Sequence, residues 1–134
     1  GPHQHTEKFI PTVIKSILNK KKIPLYGDGL NVRDWIYVKD HCEGIWCVFE
    51  KGNLGETYCI GSNCEKKNID VIRLICDLLQ VNATDCLEYV EDRLGHDFRY
   101  AIDSTKIKQD LNWNPKTSFY LGLEKTIGWY CEKH

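Results

Sequence analysis

The sequence predicts a small α+β domain of helices and short strands. Apolar residues recur at helical spacing in separate segments, and short β-branched or aromatic runs lie between them. Those runs are too short and too unevenly spaced for a full doubly wound sheet. With 134 residues, 42% hydrophobic and 28% charged, the chain can bury one core as a single domain over 1–134.

Ile10, Val13, Ile14, Ile17 and Leu18 share a face opposite lysines, which predicts a helix over 7–19 with Pro11 near its first turn, where a missing N–H costs little. Ile23-Pro24-Leu25-Tyr26 reads as extended, ending in the Gly27-Asp28-Gly29 turn, and a strand follows over 34–38. Val38, Cys42, Ile45 and Phe49 sit at i, i+4, i+7 and i+11, so a second helix covers 39–50 and stops before Gly52. Residues 56–61 read as a short strand and 61–67 as a loop. Asn68 has the chemistry of an N-cap and opens a helix over 69–79 whose buried face is Ile72, Ile75, Cys76 and Leu79. Leu87–Val90 is another strand and 100–102 is extended. Asp103 or Ser104 caps a short helix through Leu111, and Trp113-Asn114-Pro115 breaks it. The last helix, 119–133, buries Phe119, Leu123, Ile127 and Tyr130.

Net charge is −1, which argues against the broad cationic surface of a nucleic-acid binder. No apolar run approaches the ~20 residues that span a bilayer, so no membrane partner is expected. Cysteine is odd in number, and most of these residues lie in apolar company. That favours a reducing compartment and a cytoplasmic protein. The Cys42/Cys47 and Cys59/Cys64 spacings lack the close knuckle of structural zinc sites, so no metal is expected.

The most informative stretch runs from Tyr26 to His41, where a Gly-rich turn meets an apolar strand with Arg33 at the junction. A guanidinium is a rigid fork of N–H donors matched to phosphate oxygens, and burying it beside Trp35, Ile36 and Val38 calls for an anion. A diphosphate site is one reading; a surface pair of Arg33 with Asp34 or Asp28 is the other. The chain has no Gly-x-Gly-x-x-Gly turn after a strand, no Tyr-x-x-x-Lys and no marked Ser/His/Asp group. Binding chemistry is present without reaction chemistry.

Gly1–Pro11, Pro24–Gly29, Val32–His41, Gly55–Gly61, Glu65–Val71, Asp92–Asp103 and the closing Trp113-x-Pro115 with Trp129-Tyr130, in this order, resemble the C-terminal, sugar-nucleotide-binding part of the extended short-chain dehydrogenase/reductase family. The string Asp92-Arg-Leu-Gly-His-Asp-Phe-Arg-Tyr-Ala-Ile-Asp103 favours its dTDP-glucose 4,6-dehydratase branch over the epimerases. The resemblance implies an enzyme that removes water from a nucleoside-diphospho-glucose, using a tightly held NAD that accepts a hydride and later returns it. NAD and the catalytic groups belong to the family's N-terminal Rossmann-type domain, ahead of the matched segments. This chain is then expected to be a part of such an enzyme, monomeric and inactive alone, binding no NAD itself, with apolar surface left bare, while the full-length parent is a homodimer. The alternatives are a part of a related epimerase, decarboxylase or dehydratase of UDP- or GDP-sugars, or a non-catalytic nucleotide-binding module. Gly1-Pro2 reads as the tail of the family's Asn-x-Tyr-Gly-Pro turn, or equally as a tag scar.

The resemblance also implies roles. Arg33 clamps the diphosphate of a dTDP-glucose substrate. Asn68 places its amide near the phosphates at a helix head that favours anions, with a plain N-cap as the alternative. Arg93 and His96 contact phosphate and ribose, the alternative being a solvated Arg93–Asp92 pair. Pro24 and Tyr26 form a flat wall for the thymine base, or Tyr26 is a core aromatic. Lys8 and Phe9 touch the nucleotide through backbone. His3, Cys59 and Leu94 depart from the family's usual aromatic, Asn and Pro, and Leu94 loosens the loop presenting Arg93 and His96.

Overall fold

The computed structural model describes residues 1–92 and 94–133. In chain order it contains α1 (Phe9–Leu18), β1 (Ile23–Tyr26), β2 (Val32–Asp34), α2 (Val38–Lys51), β3 (Glu65–Lys67), α3 (Asn68–Leu78), α4 (Ala83–Cys86), β4 (Leu87–Val90), α5 (Thr105–Leu111) and α6 (Phe119–Glu132). β1 pairs in parallel with β4, with Ile23 opposite Leu87 and Tyr26 opposite Val90. β2 pairs antiparallel with β3, with Arg33 opposite Lys66. Helices packed around two short ribbons make the expected α+β domain.

The core joins α1, β1, α3 and α6 through Val13, Ile14, Ile23, Leu25, Val71, Ile72, Ile75, Leu123 and Ile127. Burial of such residues is the main force holding the domain together. Cys76 lies in this core with its thiol pushed up to about 11 by burial, then by Cys86 and Asp77. A smaller cluster of Ile107, Leu111 and Trp113 anchors α5 beneath α2.

Three expectations need correction. The strand expected at 34–38 is β2, at Val32–Asp34; its partner β3 offers a ladder of three residues, and beyond it the chain turns directly into α2. The 56–61 run has strand composition but forms no strand among the described residues, because no neighbouring strand lies along it. The expected 61–67 loop contains β3. On α2 the apolar stripe faces outward: Ile45, Trp46 and Phe49 are 52%, 58% and 77% exposed. The side of α2 that packs inward carries Asp40 and Gly44. A side chain at Gly44 would come within 2.9 Å of Ile60 and 3.0 Å of Trp113. The four-residue α4, started by Asn82 accepting the Thr84 N–H at 3.0 Å, has no helical periodicity to announce it.

Candidate functional site

Backbone pairing gathers the sequence-predicted site residues. Tyr26 ends β1 beside Val90, and the Gly27 N–H bonds to the Val90 carbonyl at 2.9 Å, so the turn after β1 lies against the start of the loop that carries His96. From that turn, the carbonyls of Gly29 and Asn31 accept the N–H groups of Ile69 and Asn68, each at 3.0 Å. The register of β2 with β3 then sets Arg33 next to the head of α3. Gly29 makes this approach possible: its φ is +73°, and a side chain there would strike Leu25 at 2.7 Å.

Asn68 is not the N-cap. Lys67 holds that position, without a side-chain cap bond, and Asn68 is the first helical residue. The turn carbonyls satisfy the first two N–H groups of the helix, those of Asn68 and Ile69. The Asn68 side chain is thereby released, and its Oδ1 is buried with no hydrogen-bond partner among the described residues. An orphaned buried acceptor costs about 1–3 kcal/mol. At the head of a helix whose preceding strand pairs with the strand of Arg33, it is an acceptor left in need of a partner.

Arg33 takes neither of the pairs considered for it. Asp34 turns to the opposite side of β2, as alternation along a strand requires, and accepts from the Ser62 N–H and hydroxyl at 2.9 and 2.8 Å and from the Cys64 N–H at 2.7 Å. Asp28 accepts the Leu30 N–H at 2.9 Å. The guanidinium of Arg33 instead reaches the 96–98 segment. It donates to the carbonyls of Val32, Phe98 and Asp97 at 2.7, 3.3 and 2.8 Å, and it stacks 4.6 Å from the centre of the Tyr100 ring. It also lies 3.4 Å from His96 Nε2. Arginine has no acceptor, so Nε2 must accept and Nδ1–H must donate, here to Asp92 Oδ1 at 3.2 Å. Asp97 beside the Tyr100 hydroxyl raises that phenol's pKa.

Arg33, Asn68, His96 and Tyr26 thus converge from separate segments. Pro24, half-buried on β1, lies two residues before Tyr26 and on the same face of the strand. Phe9 is not brought into this group: it packs against the hydrophobic core, its ring 5.6 Å from Trp35. Lys8 is exposed at the N-cap position of α1, where its carbonyl accepts the Thr12 N–H of the helix's first turn at 3.0 Å. Arg93 lies outside the described residues. Asp97 and Tyr100 were not singled out from sequence, and Asp92 was considered only as a partner for Arg93; their signal was proximity to His96 in one loop. Asp34 was considered only as a partner for Arg33. A cavity of about 570 Å³ lies elsewhere, between α1, α6 and the first residues.

The chain matches the family described as GDP-mannose 4,6 dehydratase over residues 1–126. A dTDP-glucose 4,6-dehydratase of Haemophilus influenzae is 43% identical over 97% of this chain and 41% of its own length. The crystal structure of the dTDP-glucose 4,6-dehydratase of Bacillus anthracis in complex with NAD superposes with a TM-score of 0.94 at 48% identity, covering 100% of this chain and 42% of that one. The dTDP-glucose 4,6-dehydratase DesIV of Streptomyces venezuelae, solved with NAD and dTDP bound, gives 0.95 at 42% identity over 98% of this chain and 41% of that one. The chain spans about two fifths of the length of these relatives.

Proposed function

The chain belongs to the GDP-mannose 4,6 dehydratase family, and from that membership we propose that it forms the substrate-binding part of a dTDP-glucose 4,6-dehydratase. Such an enzyme converts dTDP-glucose to dTDP-4-keto-6-deoxy-glucose and water in deoxysugar biosynthesis. The observation that carries the reading is the convergence of a cation, an orphaned buried amide and a tautomer-fixed histidine at one place. The relatives that share 42–48% of its residues favour a dTDP-sugar.

In this reading the positive charge of Arg33 faces the diphosphate, while its bonds to the Asp97 and Phe98 carbonyls hold the loop that presents His96. The α3 N-terminus favours the same anion, and Asn68 Oδ1 accepts from a ligand hydroxyl or N–H. Pro24 and Tyr26 wall the thymine. Arg93 supplies a further phosphate contact, and Lys8 and Phe9 engage through backbone.

NAD does not fit this chain. The Gly27–Gly29 turn leads into β2 rather than into a helix, so it makes no cradle for a dinucleotide pyrophosphate. NAD and the reacting groups belong to the remaining length of such an enzyme. That part would also cover the α2 stripe, and the assembled enzyme would act as a cytoplasmic homodimer.

The test is a calorimetric titration of this chain with dTDP, UDP and GDP, repeated with Arg33→Ala. Selective dTDP binding, weakened at least about tenfold in the variant, is the expected result. Preference for GDP, the base in the family's description, would move the substrate to a GDP-sugar. Absence of binding by all three would overturn the site.

A further inference from the structure

The hollow between the N-terminal segment, α1 and α6 belongs to neither the core nor the Arg33 cluster. Its volume of about 570 Å³ lies in the range of small-molecule sites, roughly 300–1,000 Å³. Trp129, Tyr130 and His3 make one wall. The His3 and Trp129 rings are 4.7 Å apart, and Tyr130 meets Trp129 edge-on at 4.8 Å. The wall is fixed from both ends: the Tyr130 hydroxyl donates to the Gln4 carbonyl at 3.1 Å, and His3 is held at a φ of +61°, a costly conformation for a residue with a side chain. Lys15 and Lys133 stand at its edge.

A second depression, of about 270 Å³, continues from the first and shares Thr6 and Lys15 with it. It is lined along one face of α1 by Thr12, Ser16 and Asn19, with Lys21 at its end. Among the described residues no carboxylate lines either part, and Lys15, Lys21 and Lys133 enter no ion pair. An aromatic wall therefore gives onto a strip of hydroxyls and ammonium groups with uncompensated positive charge.

We infer that this groove is a second ligand site, one that takes a planar aromatic anion: its ring lies against Trp129 and His3, and its charged group lies at Lys15. Flat apolar surface rewards a ring on the wall. Lys15 is the cation common to both depressions, so it stands beside an anion seated in either. A nucleoside monophosphate and an aromatic carboxylate share this chemistry. The site is independent of the nucleotide-sugar reading, because Arg33, Asn68 and His96 line neither depression.

The intact chain is titrated with AMP, with indole-3-acetate and, as the uncharged counterpart, with adenosine, following binding by calorimetry. At least one anion is expected to bind, and which one identifies the source. Lys15→Gln should weaken that binding about tenfold, adenosine should bind about tenfold more weakly than AMP, and Arg33→Ala should leave the affinity unchanged. Lys15 is partly exposed and enters no ion pair among the described residues, so its substitution should leave the fold intact; Trp129→Phe keeps a ring on the wall and should retain binding. No saturable binding at concentrations on the order of millimolar overturns the site. So does an unchanged affinity in Lys15→Gln, or a loss confined to Arg33→Ala.

Discussion

Around α1, β1, α3 and α6 the apolar residues are closed off from solvent, with Ile14, Ile23, Val71, Ile72 and Ile75 at 0–1% exposure. Along α2 an equally regular apolar stripe of Val38, Ile45, Trp46 and Phe49 stands open, with the Trp46 and Phe49 rings tilted against each other at 5.3 Å. Both stripes have helical periodicity. The difference is that the first finds its cover within these residues and the second does not. α2 is held by other means: the buried Asp40 carboxylate accepts the Thr117 N–H at 2.8 Å and its hydroxyl at 3.0 Å, and Gly44 lets Ile60 and Trp113 approach the helix backbone. An amphipathic pattern states that a face is meant to be covered, and is silent on what covers it.

The comparison breaks most readily in the closed half. Ile72→Ala removes a fully buried side chain at the centre of α3 and should cost about 3 kcal/mol by transfer and cavity terms. Urea unfolding reads it; a loss below about 1 kcal/mol would mean that the closed core is loosely packed.

A second test uses the buried thiol. Cys76 has its pKa raised from 9.0 to about 11, so between those values the unfolded chain releases a proton that the folded chain keeps. Stability therefore falls as pH rises through that window, by about 2 kcal/mol at its upper end. Cys76→Ala should show a correspondingly shallower fall in urea midpoints from pH 9 to 11. Cys42, exposed on α2, should be alkylated in the folded state, while Cys76 reacts only through unfolding.

The sequence carried the helices well because their signal is local. Val13, Ile14, Ile72 and Ile75 repeat at helical spacing and are buried where that spacing puts them. The ends were harder. The chain passes through positive φ at Lys20 and Gln80 just after α1 and α3, where no glycine marks the stop. Strands depend on partners distant in sequence: β2 needed β3, and 56–61 has strand composition with nothing to pair against. Arg33, Asn68 and His96 were legible as chemistry. Their present contacts were not, because the Arg33 bonds to the 96–98 carbonyls and the carbonyls that replace a cap at Asn68 arise only when β2, β3 and the turn are placed together.

The smallest expected change sharpens the contrast most. Phe49 is 77% exposed on α2 and touches little beyond Trp46. Phe49→Ser should therefore shift stability by no more than about 0.5 kcal/mol, the usual limit for a surface position. Its effect belongs to association: removing the most exposed ring of the stripe should lower the concentration dependence of sedimentation and the binding of an apolar dye. A change in sedimentation with no change in urea midpoint separates a face that awaits cover from a face that supports the fold. A loss of stability as large as that of Ile72→Ala would show instead that Phe49 is part of the core and that the two halves are built alike.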